Sequence, residues 1–195
     1  MSWIAKLGII LVAASNGLTQ AVPAIHESQV GSPCQNRVHS LGSLNFDELN
    51  LCVDSKTFRL HKGVYDHFAP GQGGLRYELF GKWLIQADGS HSEFALIYFI
   101  ETAIGASSSQ TGFIQLLALE RGQLLLKQEF RFIPKGENAG CAYEAKAGTL
   151  RITAKSDDSS PAFAPKSVDR AVYTWTGIHF KLSEWHAIPS TRPPS

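Results

Sequence analysis

From Thr57 onward the pattern of apolar and polar residues predicts strands, separated by turns and by loops at Ala69–Gly74 and Lys155–Ser167. Phe58-Arg59-Leu60 and Val64-Tyr65-Asp66-His67-Phe68 flank His61-Lys62-Gly63, a spacing that predicts a hairpin whose glycine supplies a positive φ. Leu75 to Phe80 alternates and runs on through Lys82-Trp83-Leu84-Ile85. Phe94-Ala95-Leu96-Ile97-Tyr98-Phe99-Ile100 and Phe113-Ile114-Gln115-Leu116-Leu117-Ala118-Leu119 are instead apolar at nearly every position. Unbroken runs of that length predict central strands covered on two sides. Glu120-Arg121-Gly122-Gln123 turns the second run into Leu124–Phe132, Gly148–Ala154 alternates again, and Val172–Trp175 with Ile178–Leu182 predict a hairpin across Thr176-Gly177. Asn45 followed by Phe46-Asp47-Glu48 predicts one short N-terminal helix, capped by the asparagine with acids in its first turn. The expected fold class is therefore mainly β: an antiparallel sheet, barrel-like or a sandwich, with that one helix.

The ends of the chain read differently. Lys6 precedes the apolar run Leu7–Ala14, and small residues follow, a secretory signal pattern too short to span roughly 30 Å of hydrocarbon as a mature helix. Cleavage after Ala21 or after Ala24 satisfies the small-residue requirement. The expected organisation is a signal peptide over 1–24, a flexible leader over 25–44, a single β-rich domain over 45–186 and a disordered tail over 187–195. No later stretch is apolar enough to predict a membrane span, so the mature chain is expected to be exported and soluble, in the periplasm or outside the cell. About 170 residues remain after the signal, enough for one domain with its own core.

Charge excludes one class of partner. The formal charge of +1 becomes zero once Lys6 is removed with the signal, which suggests no nucleic-acid surface. Three cysteines permit one disulfide in an oxidising compartment; Cys34 with Cys52 closes the shortest loop, and Cys141 is able to pair with either.

Asp88-Gly89-Ser90-His91-Ser92 collects the polar chemistry most visibly. A calcium site needs more oxygen ligands than Asp88 and Glu93 supply, so these are weak metal candidates, and the ordinary reading is a turn joining two strands. Nor do a serine, a histidine and an aspartate within five positions converge as a catalytic triad. The histidines at 26, 39, 61, 67, 91, 179 and 186 form no zinc-binding spacing. Gly71-Gln72-Gly73-Gly74 lacks the lysine and hydroxyl of a phosphate loop. No cofactor is expected. Trp83, Trp175 and Trp185 with Tyr65, Tyr77, Tyr98 and Tyr173 either line a recognition surface or fill the core.

Taken in order, Asp88-Gly89 before Phe94–Ile100, the loop Gly105–Ser109, Gly148-Thr149-Leu150-Arg151-Ile152 and Tyr173-Thr174-Trp175-Thr176-Gly177-Ile178-His179-Phe180 resemble a class of exported bacterial β-domain proteins. In that class an acidic turn of the FG-GAP type, sometimes associated with calcium, occupies the place of Asp88-Gly89. The resemblance implies export and a β fold, and carries no catalytic residues. The expected function is a non-enzymatic binding or interaction domain engaging a protein or glycan of the envelope. The alternative is a small secreted hydrolase using His67 or His179 with an acid from another strand.

If Asp88-Gly89 is only a turn, Asp88→Ala should change stability by less than about 1 kcal/mol and leave metal content unchanged. Elemental analysis of both proteins checks this; stoichiometric calcium or zinc lost in the variant would contradict it.

Overall fold

The computed structural model describes residues 25–29, 33–69, 73–86, 93–105, 109–134, 140–155 and 167–189. The expected signal peptide, Asp88 to Ser92 and residues 190–195 lie outside these. Strands dominate: β1 (Ile25–Gln29), β2 (Pro33–Arg37), β3 (Asn50–Val53), β4 (Lys56–Arg59), β5 (Val64–Ala69), β6 (Gly73–Gln86), β7 (Glu93–Ile104), β8 (Ser109–Glu120), β9 (Gln123–Phe132), β10 (Cys141–Glu144), β11 (Thr149–Lys155), β12 (Ser167–Trp175) and β13 (Phe180–Pro189). All pair antiparallel. Among the described residues no helix is long and apolar enough to cross a membrane.

One seven-stranded sheet, ordered β1-β9-β8-β7-β6-β5 with β2 also on β9, forms the middle layer, open at both edges rather than closed into a barrel. Its central strands are β7 and β8, the two unbroken apolar runs. Phe94, Leu96, Tyr98 and Ile100 pack toward the four-stranded sheet β10-β11-β12-β13, where they meet Leu150, Ile152, Ala171, Tyr173 and Phe180. Ala95, Ile97 and Phe99 face the opposite way and meet Leu49, Leu51, Val53 and Leu60 on and around the β3–β4 hairpin. Both faces of β7 are thus buried, as its composition demands.

Bulges adjust which side chains face which layer. Leu116 pairs with Gln128 but Leu117 with Leu126, so Lys127 is an extra residue on β9. The inside–outside phase flips there: Leu124 and Leu126 face the hairpin layer, whereas Phe130 and Phe132 face the four-stranded sheet. A second bulge at Phe80 lies between the pairs Leu79–Phe99 and Gly81–Tyr98.

The expected N-terminal helix does not form. Asn45 does cap a turn, accepting a hydrogen bond from Asp47 N at 3.1 Å, but that turn is a three-residue 3-10 segment, Phe46–Glu48, preceded by another at Leu41–Ser43. A single turn gains few hydrogen bonds for the backbone it orders. Leu49 re-extends (φ −68°, ψ 143°), and Leu49, Leu51 and Leu60 all become buried in the hairpin layer. Residues 25–44, expected as a leader, instead supply β1 and β2 beside β9, and Ala187 to Pro189, expected in the tail, close β13.

The turns are mixed in outcome. Lys62 (φ 53°) and Gly63 (φ 79°) form the tight turn expected there, yet the flanking strands belong to different sheets: β4 pairs with β3, and β5 with β6. Arg121 (φ 50°) and Gly122 (φ 75°) make the two-residue β8–β9 turn. Between β12 and β13 the loop is four residues long, since Trp175 pairs with Phe180 and Thr176 N donates to His179 O at 2.9 Å.

Phe99 is fully buried between the central sheet and the hairpin and stacks on Phe113 at 5.0 Å. Phe99→Ala should destabilise the fold by about 3–5 kcal/mol in urea titration. Ile178→Ala, at a side chain that is 67% exposed, should shift stability by no more than about 0.5 kcal/mol.

Candidate functional site

Among the described residues, the histidines considered from sequence are spread over separate parts of the fold. Gln86 on β6 pairs with Glu93 on β7, and Asp88 lies outside the described residues. The backbone of Glu93 opens β7. His67 shares its face with Tyr65 and Leu75, the side that carries the β3–β4 hairpin, while His179 sits in the β12–β13 loop of the sheet on the other side. His179 Nδ1 lies 3.3 Å from Thr176 Oγ1. The two histidines therefore do not share a cleft. His61 Nδ1 pairs with Glu48 Oε1 at 3.0 Å on an exposed turn, and His186 approaches Glu184 at 3.9 Å on exposed β13. Among the described residues no three His, Cys, Asp or Glu side chains are grouped to hold a metal.

Buried polar groups are present and join the layers, with Gln115 Oε1 left buried without a hydrogen-bond partner among the described residues. Gln115 and Glu129 face each other across β8 and β9 and are almost completely buried. Gln115 Nε2 donates to Glu129 Oε2 at 2.6 Å and to the main-chain oxygen of Cys52 on the hairpin. Glu129 Oε1 accepts from Arg131 Nε at 2.5 Å, and Arg131 Nη2 reaches Asp54 Oδ1 at 2.7 Å in the hairpin turn. Burial works against the Arg131 charge, but its bonds to Asp54 and Glu129 outweigh that and raise its pKa. On the other face Gln128 performs the same service. Its Nε2 donates to Phe180 O at 2.7 Å and its Oε1 accepts from Phe180 N at 2.8 Å, which fastens the four-stranded sheet to β9.

The aromatic residues divide in the same way. Tyr77, Tyr98 and Tyr173 are buried, and Trp83, Trp175 and Tyr65 are half-buried against the core; of the seven considered from sequence, only Trp185 is exposed. Tyr77 donates to Glu101 Oε2 at 2.6 Å, and burial first, then the Glu101 bond and charge, push its hydroxyl pKa far up. Burial pushes the Tyr98 hydroxyl up to about 12. Neither the Tyr77 nor the Tyr98 hydroxyl is poised for acid–base work near neutral pH.

What remains at the surface is a flank that neither covering layer reaches. Phe68, Gly74 and Ile104 lie in one row across β5, β6 and β7. Their neighbours on the face are Asp66 and Arg76, then Val64 and Glu78. Phe68 is 54% and Ile104 38% exposed, and Phe80, pushed out by the bulge, is 53% exposed. The Phe68 ring lies over Gly74, where an added Cβ would come within 2.5 Å of Cδ1. Arg76 Nε donates to Glu78 Oε2 at 3.3 Å, and Arg76 Nη1 is 3.9 Å from Asp66 Oδ1. Flat apolar rings on either side of a charged row can bury area and fix orientation together. Phe68, Phe80, Ile104 and Arg76 were not recognised from sequence. The one local signal was Gly74 in an otherwise strand-forming stretch, a mark of close approach.

No protein-family model matches the chain, and neither a curated protein nor a solved structure matches it.

Cys52 is disulfide-bonded, and Cys141 is a free thiol that burial pushes up to about 12 from an ordinary 9.0. The folded state holds the Cys141 proton more tightly than the unfolded chain, so this contribution to stability is complete below about pH 9 and is lost as pH rises toward 12. At pH 8 alkylation of Cys141 should therefore be slow in the native protein and fast in urea, read by intact mass. Rapid native labelling would contradict the burial.

Proposed function

We propose that this protein is an exported, non-enzymatic binding domain that acts in the periplasm or outside the cell by engaging a protein or glycan of the envelope. The observation that carries the reading is the uncovered flank of Phe68, Phe80 and Ile104 around Arg76: exposed rings of this size cost solvation, and side chains of this kind recur where surfaces bind partners. The disulfide at Cys52 supports export, because such bonds persist in oxidising compartments. The bridge belongs to Cys34 on this reading. Asn36 Nδ2 donates to Asn50 O at 2.8 Å and Asn50 N donates to Asn36 Oδ1 at 3.0 Å, which ties β2 to β3 with Cys34 two residues before one member and Cys52 two after the other. A reduced FG-GAP-like turn at Asp88-Gly89 fits the same class of exported domain.

Cell fractionation with N-terminal sequencing should find the protein outside the cytoplasm, beginning after Ala21 or Ala24, and non-reducing peptide mapping should recover a Cys34–Cys52 peptide pair. Envelope extract passed over the wild-type protein should yield a partner, whereas a Phe68→Ser/Phe80→Ser variant with an unchanged thermal midpoint should not. Retention in the cytoplasm, free Cys34 and Cys52 thiols, or equal capture by both proteins would each count against the proposal.

A further inference from the structure

The flank carries more than exposed rings, because its polar residues are ordered along one row. Register sets Asp66 opposite Arg76, Arg76 opposite Thr102 and Thr102 opposite Gln110, so four polar side chains cross β5, β6, β7 and β8 on the face that Phe68 occupies. Four strands span about 14 Å across a sheet. The row beside it, two residues along each strand and so about 7 Å away, is Phe68, Gly74 and Ile104. An apolar row thus runs parallel to a polar one.

Gly74 sets the shape of the apolar row. An added Cβ there would lie 2.5 Å from Phe68 Cδ1 and 3.1 Å from Cε1, so any larger residue would hold the ring off the sheet. With glycine the ring lies over the main chain and still stays more than half exposed. It forms a platform rather than a knob, and the flat sheet beside it offers no pocket of the kind in which protein partners bury their anchoring side chains. The polar row is ordered before any ligand arrives, because Arg76 is held by Glu78 at 3.3 Å and faces Asp66 at 3.9 Å.

We propose that these two rows bind a neutral glycan chain of hexopyranose units laid across β5 to β8. The proposal rests on the reading of the flank as the binding surface and names the class of its partner. A pyranose ring is amphipathic in the same sense as the paired rows: C–H groups cover its faces and hydroxyls line its rim. The C–H face of one unit stacks on the electron-rich face of Phe68, and the next unit lies on Ile104. The rim meets the polar row, where Asp66 accepts hydrogen bonds from hydroxyls, Arg76 donates them, and Thr102 and Gln110 do both. Charge narrows the class further. Asp66 and Glu78 against Arg76 leave one negative charge on the site, which repels uronates and phosphorylated sugars.

Titration calorimetry of the purified protein with cellohexaose, maltohexaose and mannohexaose, and with hexagalacturonate as the acidic counterpart, tests the assignment. At least one neutral hexasaccharide should bind, and hexagalacturonate should bind at least about tenfold more weakly. Phe68→Ala and Arg76→Met should each lower affinity about tenfold, whereas Phe68→Tyr, which keeps the ring, should hold it within about twofold. Ile178→Ala, on the loop between β12 and β13, should leave it unchanged, and all variants should keep the wild-type thermal midpoint. Saturation-transfer NMR should place the strongest transfer on C–H protons of the sugar. No binding by any of the neutral hexasaccharides, hexagalacturonate bound as tightly as they are, or undiminished binding by Phe68→Ala would overturn the proposal. Envelope capture that depends on Phe68 and Phe80 while no hexasaccharide binds would overturn the glycan class alone; equal capture by the flank variant would instead remove the reading on which it rests.

Discussion

The central strands β7 and β8 are apolar on both faces, and a sheet built around them is stable only if both faces are kept from water. That constraint organises the molecule. One face is covered by a four-stranded sheet and the other by a two-stranded hairpin with its two 3-10 turns. Apolar packing drives each layer onto the sheet but is indifferent to its position to within a few ångströms. Position is supplied by buried polar groups. Gln128 grips both main-chain atoms of Phe180, and Gln115 with Glu129, Arg131 and Asp54 ties the hairpin. A misplaced layer would strand these groups without partners, at a cost well above that of a lost methyl contact. The bulge at Lys127 lets one strand serve both layers, turning Gln128 to one side and Glu129 to the other.

The unequal size of the covers decides what is left at the surface. The hairpin reaches β5 and β6 through Phe58 on Tyr65 and Tyr77, but on the opposite face the four-stranded sheet spends its apolar area over β7, β8 and β9 and leaves the Phe68–Ile104 end of the central sheet uncovered. Exposed Phe68, Phe80 and Ile104 follow from that geometry, with Arg76 held between two carboxylates in their midst.

The long apolar strands were legible because burial on both faces leaves no room for alternation, and Phe94–Ile100 and Phe113–Leu119 have none. Turns that need positive φ were legible where glycine occupied them, at Gly63 and Gly122, but not at Asp54 and Ser55, which adopt φ of 48° and 63°. Pairing was harder. The turn at Lys62-Gly63 formed, yet the strands on either side joined different sheets, since Leu60 is drawn into the hairpin layer by its own burial and by Leu60 N donating to Leu49 O at 2.9 Å. Residues 25–44 are polar enough to read as a leader, but the main chain of 25–29 and 33–37 joins β9, and main-chain pairing leaves no signature in side-chain pattern.

By itself, then, the sequence determined the class of fold, its strand content and its buried centre, because period and composition are local properties. Only the tertiary structure decided which strand pairs with which, where bulges reverse a strand's facing, and which phenylalanines are left in water. Those outcomes depend on how much of a shared sheet two separate covering layers can reach, a quantity that no single segment contains.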